Sequence, residues 1–183
     1  MNTHQSIITH CPPTFSTLHL VMASGSPAAN ALDRNVSRLD FKRLKHKYTE
    51  SSEADMTAAQ WDAAELEYRR FLSLKCLYPT VVLVPSQLVD TVWHAHILDT
   101  RAYREDCAQV FGRFIDHYPY FGINGQADYQ DLKSAFAQTV SLYEQHFGAY
   151  PGGGTEAQAM RCGDDHKCHA PTACACRVEG ACK

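Results

Sequence analysis

The sequence has no hydrophobic run long enough to cross a membrane. Its apolar stretches, such as Val81–Val84, are only a few residues long, whereas a bilayer span needs about 20. Charge of one sign is lacking as well, because 17 basic and 20 acidic side chains leave a net charge of only −3. No global basic field is therefore available to hold a polyanion. We expect no membrane anchor and no nucleic-acid partner.

The usual catalytic and targeting patterns are also missing. There is no Walker phosphate loop, Rossmann glycine pattern, Gly-x-Ser-x-Gly elbow or His-Glu-x-x-His pair. No Lys or Arg precedes Arg34, so the start lacks the basic region of a secretory leader. We expect a cytoplasmic, reducing location, where clustered cysteines bind metals or do redox chemistry more often than they form disulfides.

The sequence is rich in metal-binding side chains, with 8 Cys and 10 His. Its composition predicts three segments: a flexible arm over 1–30, a helical domain over 31–148, and a glycine-hinged, cysteine-rich tail over 149–183. Only the middle segment has the apolar periodicity needed to fold by burial.

Four amphipathic helices are predicted in the middle segment. The first covers Leu32 to Tyr48, and the second begins at the Thr57 capping box and ends before Pro79. The third begins at Ser86 and runs to Phe111 before Gly112, and the fourth is capped by Asp128 and ends at Phe147. The fold class is therefore mainly α, a compact, bundle-like domain of about four helices.

The third helix contains the segment Trp93-His94-Ala95-His96. Residues two apart on a regular helix point about 160° apart, so His94 and His96 do not share one ion unless the helix is distorted. Asp90 lies one turn before His94, on the same face, and the chain reversal after Gly112 can bring back His117.

Two interpretations of this segment remain open. In the first, the segment binds Zn²⁺ or Fe²⁺ through nitrogen and oxygen ligands. One coordination position is left for water, which permits hydrolytic or oxidative chemistry. The ligands are Asp90, His94, His96 and His117. In the second, His96 is a core histidine bonded to Thr100 or a carbonyl, and Asp90 pairs with His94 or Arg101. In either case we expect the surrounding aromatic residues to be buried: Trp93, Tyr103, Phe111, Phe114, Tyr118, Tyr120 and Phe121.

Three short motifs occur in order around this segment. They are the Trp-His-x-His core at 93–96, Tyr-x-x-Asp-Cys at 103–107 and Phe-Gly-x-Phe-x-x-His at 111–117. Over roughly Trp61 to Tyr120 the chain resembles the glycine-rich domain-containing protein-like family. Plant members of that family are linked to growth and stress responses, and the resemblance implies no particular reaction. Plant members carry a long glycine-rich region, and this chain has only Gly152–Gly154 there.

The tail carries five thiols within its last 22 residues, at Cys162, Cys168, Cys174, Cys176 and Cys182. Thiolates on a flexible backbone can wrap around Cu⁺ or Zn²⁺, and the metal then supplies the order that burial does not. The alternative is an unstructured tail with reduced, idle thiols. The last unit, Glu179-Gly180-Ala181-Cys182, also resembles the Glu-Gly-x-Cys units of peptides modified by iron-dependent enzymes.

Two functions follow from these patterns. The first is an intracellular metal-binding protein with a His/Asp site on the third helix and a thiol-rich tail. The ligands of the His/Asp site are also those of a metalloenzyme, whose reaction the sequence does not identify. The alternative is a noncatalytic protein-interaction or carrier module, whose tail binds a partner or is modified after translation.

Overall fold

The computed structural model describes residues 31–154, which form a mainly helical domain as predicted. The arm over 1–30 and the tail thiols Cys162, Cys168, Cys174, Cys176 and Cys182 lie outside the described residues. The helices are α1 (Lys42–Thr49), α2 (Ala58–Leu77), α3 (Gln87–Leu98), α4 (Thr100–Phe111) and α5 (Gln126–Phe147), with 3-10 turns at Val36–Arg38 and Pro151–Gly153. No helix within residues 31–154 has both the length and the apolar character required to traverse a bilayer.

Helix α2 is the central element, packing against α1, α3 and α5. Its start is fixed as predicted by a capping box, in which the Thr57 side chain accepts from the Gln60 backbone and the Gln60 side chain accepts from the Thr57 backbone. Its large apolar side chains, including Trp61, Tyr68 and Leu72, are buried. They form one core with residues from all the other helices.

The N-terminal segment is attached to α2 through Arg69. Its guanidinium donates to the carbonyl oxygens of Val36 and Leu39, at 2.6 and 2.9 Å, and lies over the Phe41 ring. The continuous helix predicted from Leu32 is therefore wrong, because the 3-10 turn and an extended Leu39 precede α1. The predicted apolar face is confirmed in part, since Phe41 and Leu44 are buried.

The predicted third helix is two helices, broken at Asp99. The Asp99 side chain accepts a hydrogen bond from the backbone N–H of Ala102 and so caps α4, while its own N–H bonds to the carbonyl of His96. An aspartate side chain that accepts a hydrogen bond from the first turn of a new helix favours ending the preceding helix at that residue. The chain changes direction there, and α4 ends as predicted at Gly112, which has a left-handed φ of 66°.

The start of α5 also differs from the prediction, because Asp128 does not cap it. The helix begins at Gln126 after Gly125, and the Asp128 carboxylate accepts instead from the backbone N–H groups of Gly122 and Asn124. Aspartate can satisfy backbone donors of a preceding loop as readily as those of a helix. The predicted end is confirmed at Gly148.

Two segments outside the helices complete the core. Leu83 and Val84 are buried in the extended connection between α2 and α3, where the Val84 N–H donates to the Thr139 hydroxyl. Tyr150, which the sequence patterns place in the tail segment, is 8% exposed and packs against Phe136 and Tyr143. The folded core therefore extends past α5.

Replacing Thr57 with alanine should lower the free energy of unfolding by about 1 kcal/mol, because the substitution leaves an N-terminal donor of α2 without its acceptor. Urea denaturation followed by circular dichroism measures this loss. Thr80→Ala is the matched control, since Thr80 is exposed and lies outside any helix. Equal stability of the two variants would show that the capping box does not stabilise α2.

Candidate metal centre

Asp90 is the most deeply buried carboxylate described, with 1% of its surface exposed. It lies in the first turn of α3, whose start is fixed by the Ser86 side chain accepting from the Val89 N–H. One carboxylate oxygen, Oδ1, lies 2.7 Å from Nε2 of His117. The other, Oδ2, lies 3.5 Å from Nδ1 of His94 and has no hydrogen-bond partner. A buried acceptor of this kind is costly, so its environment needs an explanation.

His117 reaches Asp90 because the loop after α4 is held in place by Tyr103. The Tyr103 hydroxyl donates to the Ile115 carbonyl at 2.6 Å and accepts from the Trp93 indole N–H at 2.9 Å. The centre of the His117 ring lies 4.6 Å from the centres of both the Trp93 and the His94 rings. These ring contacts and the bond to Asp90 fix the orientation of the imidazole.

Three of the four predicted metal ligands are brought together, as Asp90, His94 and His117. Each offers a ligand atom, and these atoms all lie within 4.8 Å of one another. Bonds of about 2.0–2.1 Å to a tetrahedral ion place ligand atoms about 3.3 Å apart, a separation within the 4.8 Å limit of this cluster. The cluster can hold a metal ion.

His96 lies on another face of α3, where both of its ring nitrogens have protein partners. Nδ1 lies 3.0 Å from the Tyr68 hydroxyl, and Nε2 lies 3.0 Å from the Asp106 carboxylate. Burial lowers the pKa of His96, although the neighbouring Asp106 charge opposes that shift. The structure thus does not bring His96 to the other three, and its partners are not the Thr100 or carbonyl groups considered from the sequence.

The break at Asp99 explains the contact between His96 and Asp106. On an uninterrupted helix, residues ten apart are about 15 Å apart along the axis. Because α4 changes direction after Asp99, the Asp106 carboxylate returns to the His96 ring.

A cavity of about 660 Å³ opens beside two of the three ligands. Asp90 and His117 lie in its wall, and most of the remaining lining is apolar, including Val81, Leu83 and Trp93. This volume is within the range of small-molecule sites in proteins. The arrangement gives a small molecule access to the side chains that can hold a metal.

Lys75, from α2, also lines this cavity and was not singled out by the sequence patterns. Its Nζ lies 5.3 Å from both the Phe71 and the Trp93 ring centres, and burial, with the Arg113 charge, lowers its pKa to about 8. The available signal was the Phe71-to-Lys75 spacing of one helical turn, which places the amine beside an aromatic ring. That spacing is too common to identify a functional lysine.

Several aromatic residues near the site are exposed, which corrects the expectation that all of them are buried. Trp93 and Tyr103 are buried, whereas Phe114, Tyr118 and Tyr120 are 50%, 66% and 56% exposed. They lie in the connection between α4 and α5, where backbone constraints rather than helical periodicity decide which side chains reach the core.

Comparison with known proteins places this domain in a family. A family model described as UCP032817-like matches residues 32–142, which include the candidate metal ligands and the cavity-lining lysine. The chain belongs to the UCP032817-like family. No curated protein and no solved structure matches it. The family description names no activity, so the function of this UCP032817-like domain has to be argued from its site.

In this UCP032817-like domain, Tyr103→Phe should lower the free energy of unfolding by about 2 kcal/mol. The variant leaves the buried Trp93 N–H and Ile115 carbonyl without partners, and unsatisfied buried groups each cost about 1–3 kcal/mol. Chemical denaturation measures the loss. Tyr120→Phe, in an exposed ring whose hydroxyl makes no hydrogen bond to residues 31–154, should have almost no effect. A Tyr103→Phe variant as stable as Tyr120→Phe would contradict the proposed role of the hydroxyl.

Lys75→Met should raise the free energy of unfolding at pH 7 by about 1–2 kcal/mol, because a charged amine loses hydration on burial. The folded-state pKa, about 8, is below the unfolded value of 10.5. Between these values the folded state releases the proton first, so the wild type gains stability as pH rises. The difference in the free energy of unfolding between Lys75→Met and the wild type should therefore shrink from pH 8 to 10.5.

Denaturation of both proteins across this pH range provides the test. Lys133→Met is the matched control, since Lys133 also lies over an aromatic ring, that of Tyr129, but does not line the cavity. A stability difference that stays constant between pH 8 and 10.5 would show that the Lys75 amine is not desolvated.

Proposed function

We propose that this UCP032817-like protein binds one divalent metal ion through Asp90, His94 and His117. The observation that carries the proposal is the buried carboxylate of Asp90, whose Oδ1 bonds to His117 while its Oδ2 lies 3.5 Å from His94 Nδ1 and has no hydrogen-bond partner. A bound cation would supply the charge and the contact that this oxygen lacks.

The donor set narrows the choice of metal and chemistry. Two histidines and one carboxylate are the protein ligands of many catalytic zinc sites and of non-haem Fe(II) oxygenases. Both classes leave a coordination position for water or substrate, so the site suits hydrolytic or oxidative chemistry. The adjacent cavity supports this assignment, because a purely structural metal would need no space beside it. We propose a metalloenzyme whose reaction is still to be identified.

The wider predictions made from the sequence fit this proposal. We infer a cytoplasmic protein whose tail thiols form a separate soft-metal site for Cu⁺ or Zn²⁺, and whose ancestry is shared with the glycine-rich domain-containing protein-like family. The tail site is proposed from the thiol spacing, and the shared ancestry from the Trp-His-x-His motif.

The metal proposal is tested with the full chain carrying serine at the tail positions 162, 168, 174, 176 and 182, so that thiols do not contribute. After loading with Zn²⁺, Co²⁺ or anaerobic Fe²⁺ and dialysis, metal analysis should find about one equivalent per chain. His94→Ala and His117→Ala, made in this background, should each lose the metal. The Co²⁺ absorption spectrum then reports coordination by nitrogen and oxygen.

Two variants keep the result interpretable. His46→Ala removes an exposed histidine that pairs with Glu50 and should retain the metal. His96→Gln should be less stable but should also retain it, since His96 bonds to Tyr68 and Asp106. If the folded serine-tail protein binds no metal under any of these conditions, the proposal is wrong. If His96→Gln stays folded but loses the metal, the proposed set of ligands is wrong.

The exposed aromatic residues support a second candidate function, a noncatalytic interaction or carrier module. Phe114, Tyr118, Tyr120 and Ile123 expose large apolar surfaces in one connection, and the Tyr118 and Tyr120 rings contact each other. Exposed aromatics are typical of protein-binding surfaces. This candidate predicts that replacing Tyr118 and Tyr120 with serine abolishes partner capture while leaving metal content unchanged.

A further inference from the structure

We infer that the cavity beside Asp90 and His117 binds a small organic monocarboxylate with an apolar body, and that the Lys75 ammonium is its counterion. That the bound molecule is the substrate of the metal site rests on the proposed function. Its binding in the cavity does not, because Lys75 and the apolar wall are independent of the metal ligands.

Lys75 is a partly buried charge in the wall of this cavity. Its amine contacts the Phe71 and Trp93 rings and makes neither a hydrogen bond nor an ion pair with any residue between 31 and 154. The same burial that lowers its pKa to about 8 leaves it mostly protonated at neutral pH. A partly buried cation without a counterion is held at a cost in stability, which an anionic ligand would offset.

The carboxylates of the cavity wall are already accounted for. Asp90 faces His117 and His94, Asp128 accepts from two backbone N–H groups, and Asp116 is exposed to solvent. None of the three is an ion-pair partner of Lys75. Of the charges that are withdrawn from solvent in this wall, the Lys75 ammonium is the one without an ion-pair partner among residues 31–154, and a positive charge favours an anion.

The rest of the lining determines which kind of anion the cavity can bind. A single lysine is a compact point charge, whereas phosphate groups are usually held by arginine forks or several backbone donors. The surrounding wall is hydrocarbon, from residues such as Val81, Leu83, Pro85, Phe121 and Leu132. One positive charge in an apolar cavity of about 660 Å³ suits a ligand with one carboxylate and a hydrocarbon chain or ring.

Trp93 links this anion site to the metal ligands. Its ring contacts the Lys75 amine on the one hand and the His117 ring, centre to centre at 4.6 Å, on the other. A molecule whose carboxylate pairs with Lys75 would therefore extend along the same wall that contains Asp90 and His117. This position places its apolar body next to the proposed metal.

Octanoate and its neutral amide, octanamide, are the probes for the full-length protein, titrated by calorimetry at pH 7 with and without bound Zn²⁺. Octanoate should bind the wild type and octanamide should bind at least about tenfold more weakly, because it lacks the charge that pairs with Lys75. Lys75→Met should weaken octanoate binding by a similar factor and leave octanamide binding unchanged. Lys75→Arg should restore much of the octanoate affinity, and Lys133→Met should leave it intact.

The outcomes separate this inference from the proposed function. Octanoate binding that is absent, or equal in the wild type and in folded Lys75→Met, overturns the inference even when Zn²⁺ is bound. Lysine-dependent octanoate binding to a protein that takes up no metal supports the anion site and overturns the metal proposal alone. Circular dichroism and an unchanged octanamide affinity verify that the Lys75→Met variant is folded, whether or not the protein binds Zn²⁺.

Discussion

The burial of the Asp90 carboxylate constrains the arrangement of everything around it. Removing a carboxylate from water is tolerated only when hydrogen bonds or opposite charge replace the lost hydration. Here one oxygen is bonded to His117, and the other faces His94 at 3.5 Å without a hydrogen bond. The loop that carries His117 must therefore return to α3, and the contacts of Tyr103 with Trp93 and Ile115 fix that return.

The two histidines of the Trp-His-x-His motif perform separate tasks because alternate residues of a helix point in nearly opposite directions. His94 faces Asp90 and His117, next to the cavity. His96 is part of the core, where Tyr68 from α2 and Asp106 from α4 bond to its two nitrogens. The motif thus places a candidate metal centre on one face of α3. On the other face it bonds α3 to its neighbours α2 and α4.

Much of the helical fold could be predicted from local signals. The capping box at Thr57, the cap at Ser86 and the glycine stops at Gly112 and Gly148 all lie where their residue types indicate. These are short-range interactions, so a few neighbouring residues determine them. The break at Asp99 was missed because the apolar pattern continues through it while one side chain starts a new helix.

The site was only partly predictable, for a related reason. The pairing of Asp90 with His94 follows from helical spacing, but contacts of His96 depend on a change of direction that periodicity does not report. Lys75 was missed because its environment is built by residues distant in sequence, among them Trp93 and Arg113. Long-range packing, rather than residue type, makes such a lysine different from an ordinary helix-surface lysine.

The packing of the His117 imidazole against the Trp93 and His94 rings affects the entropy change on ligand binding. A histidine on a connecting loop normally samples several rotamers, and a ligand that fixes one of them must offset the lost freedom. In this domain that freedom is already restricted by contacts with two rings and by the bond to Asp90. The loss of rotamer entropy at His117 therefore occurs when the chain folds and not when a ligand binds. The loop can thus present an already ordered imidazole to a ligand.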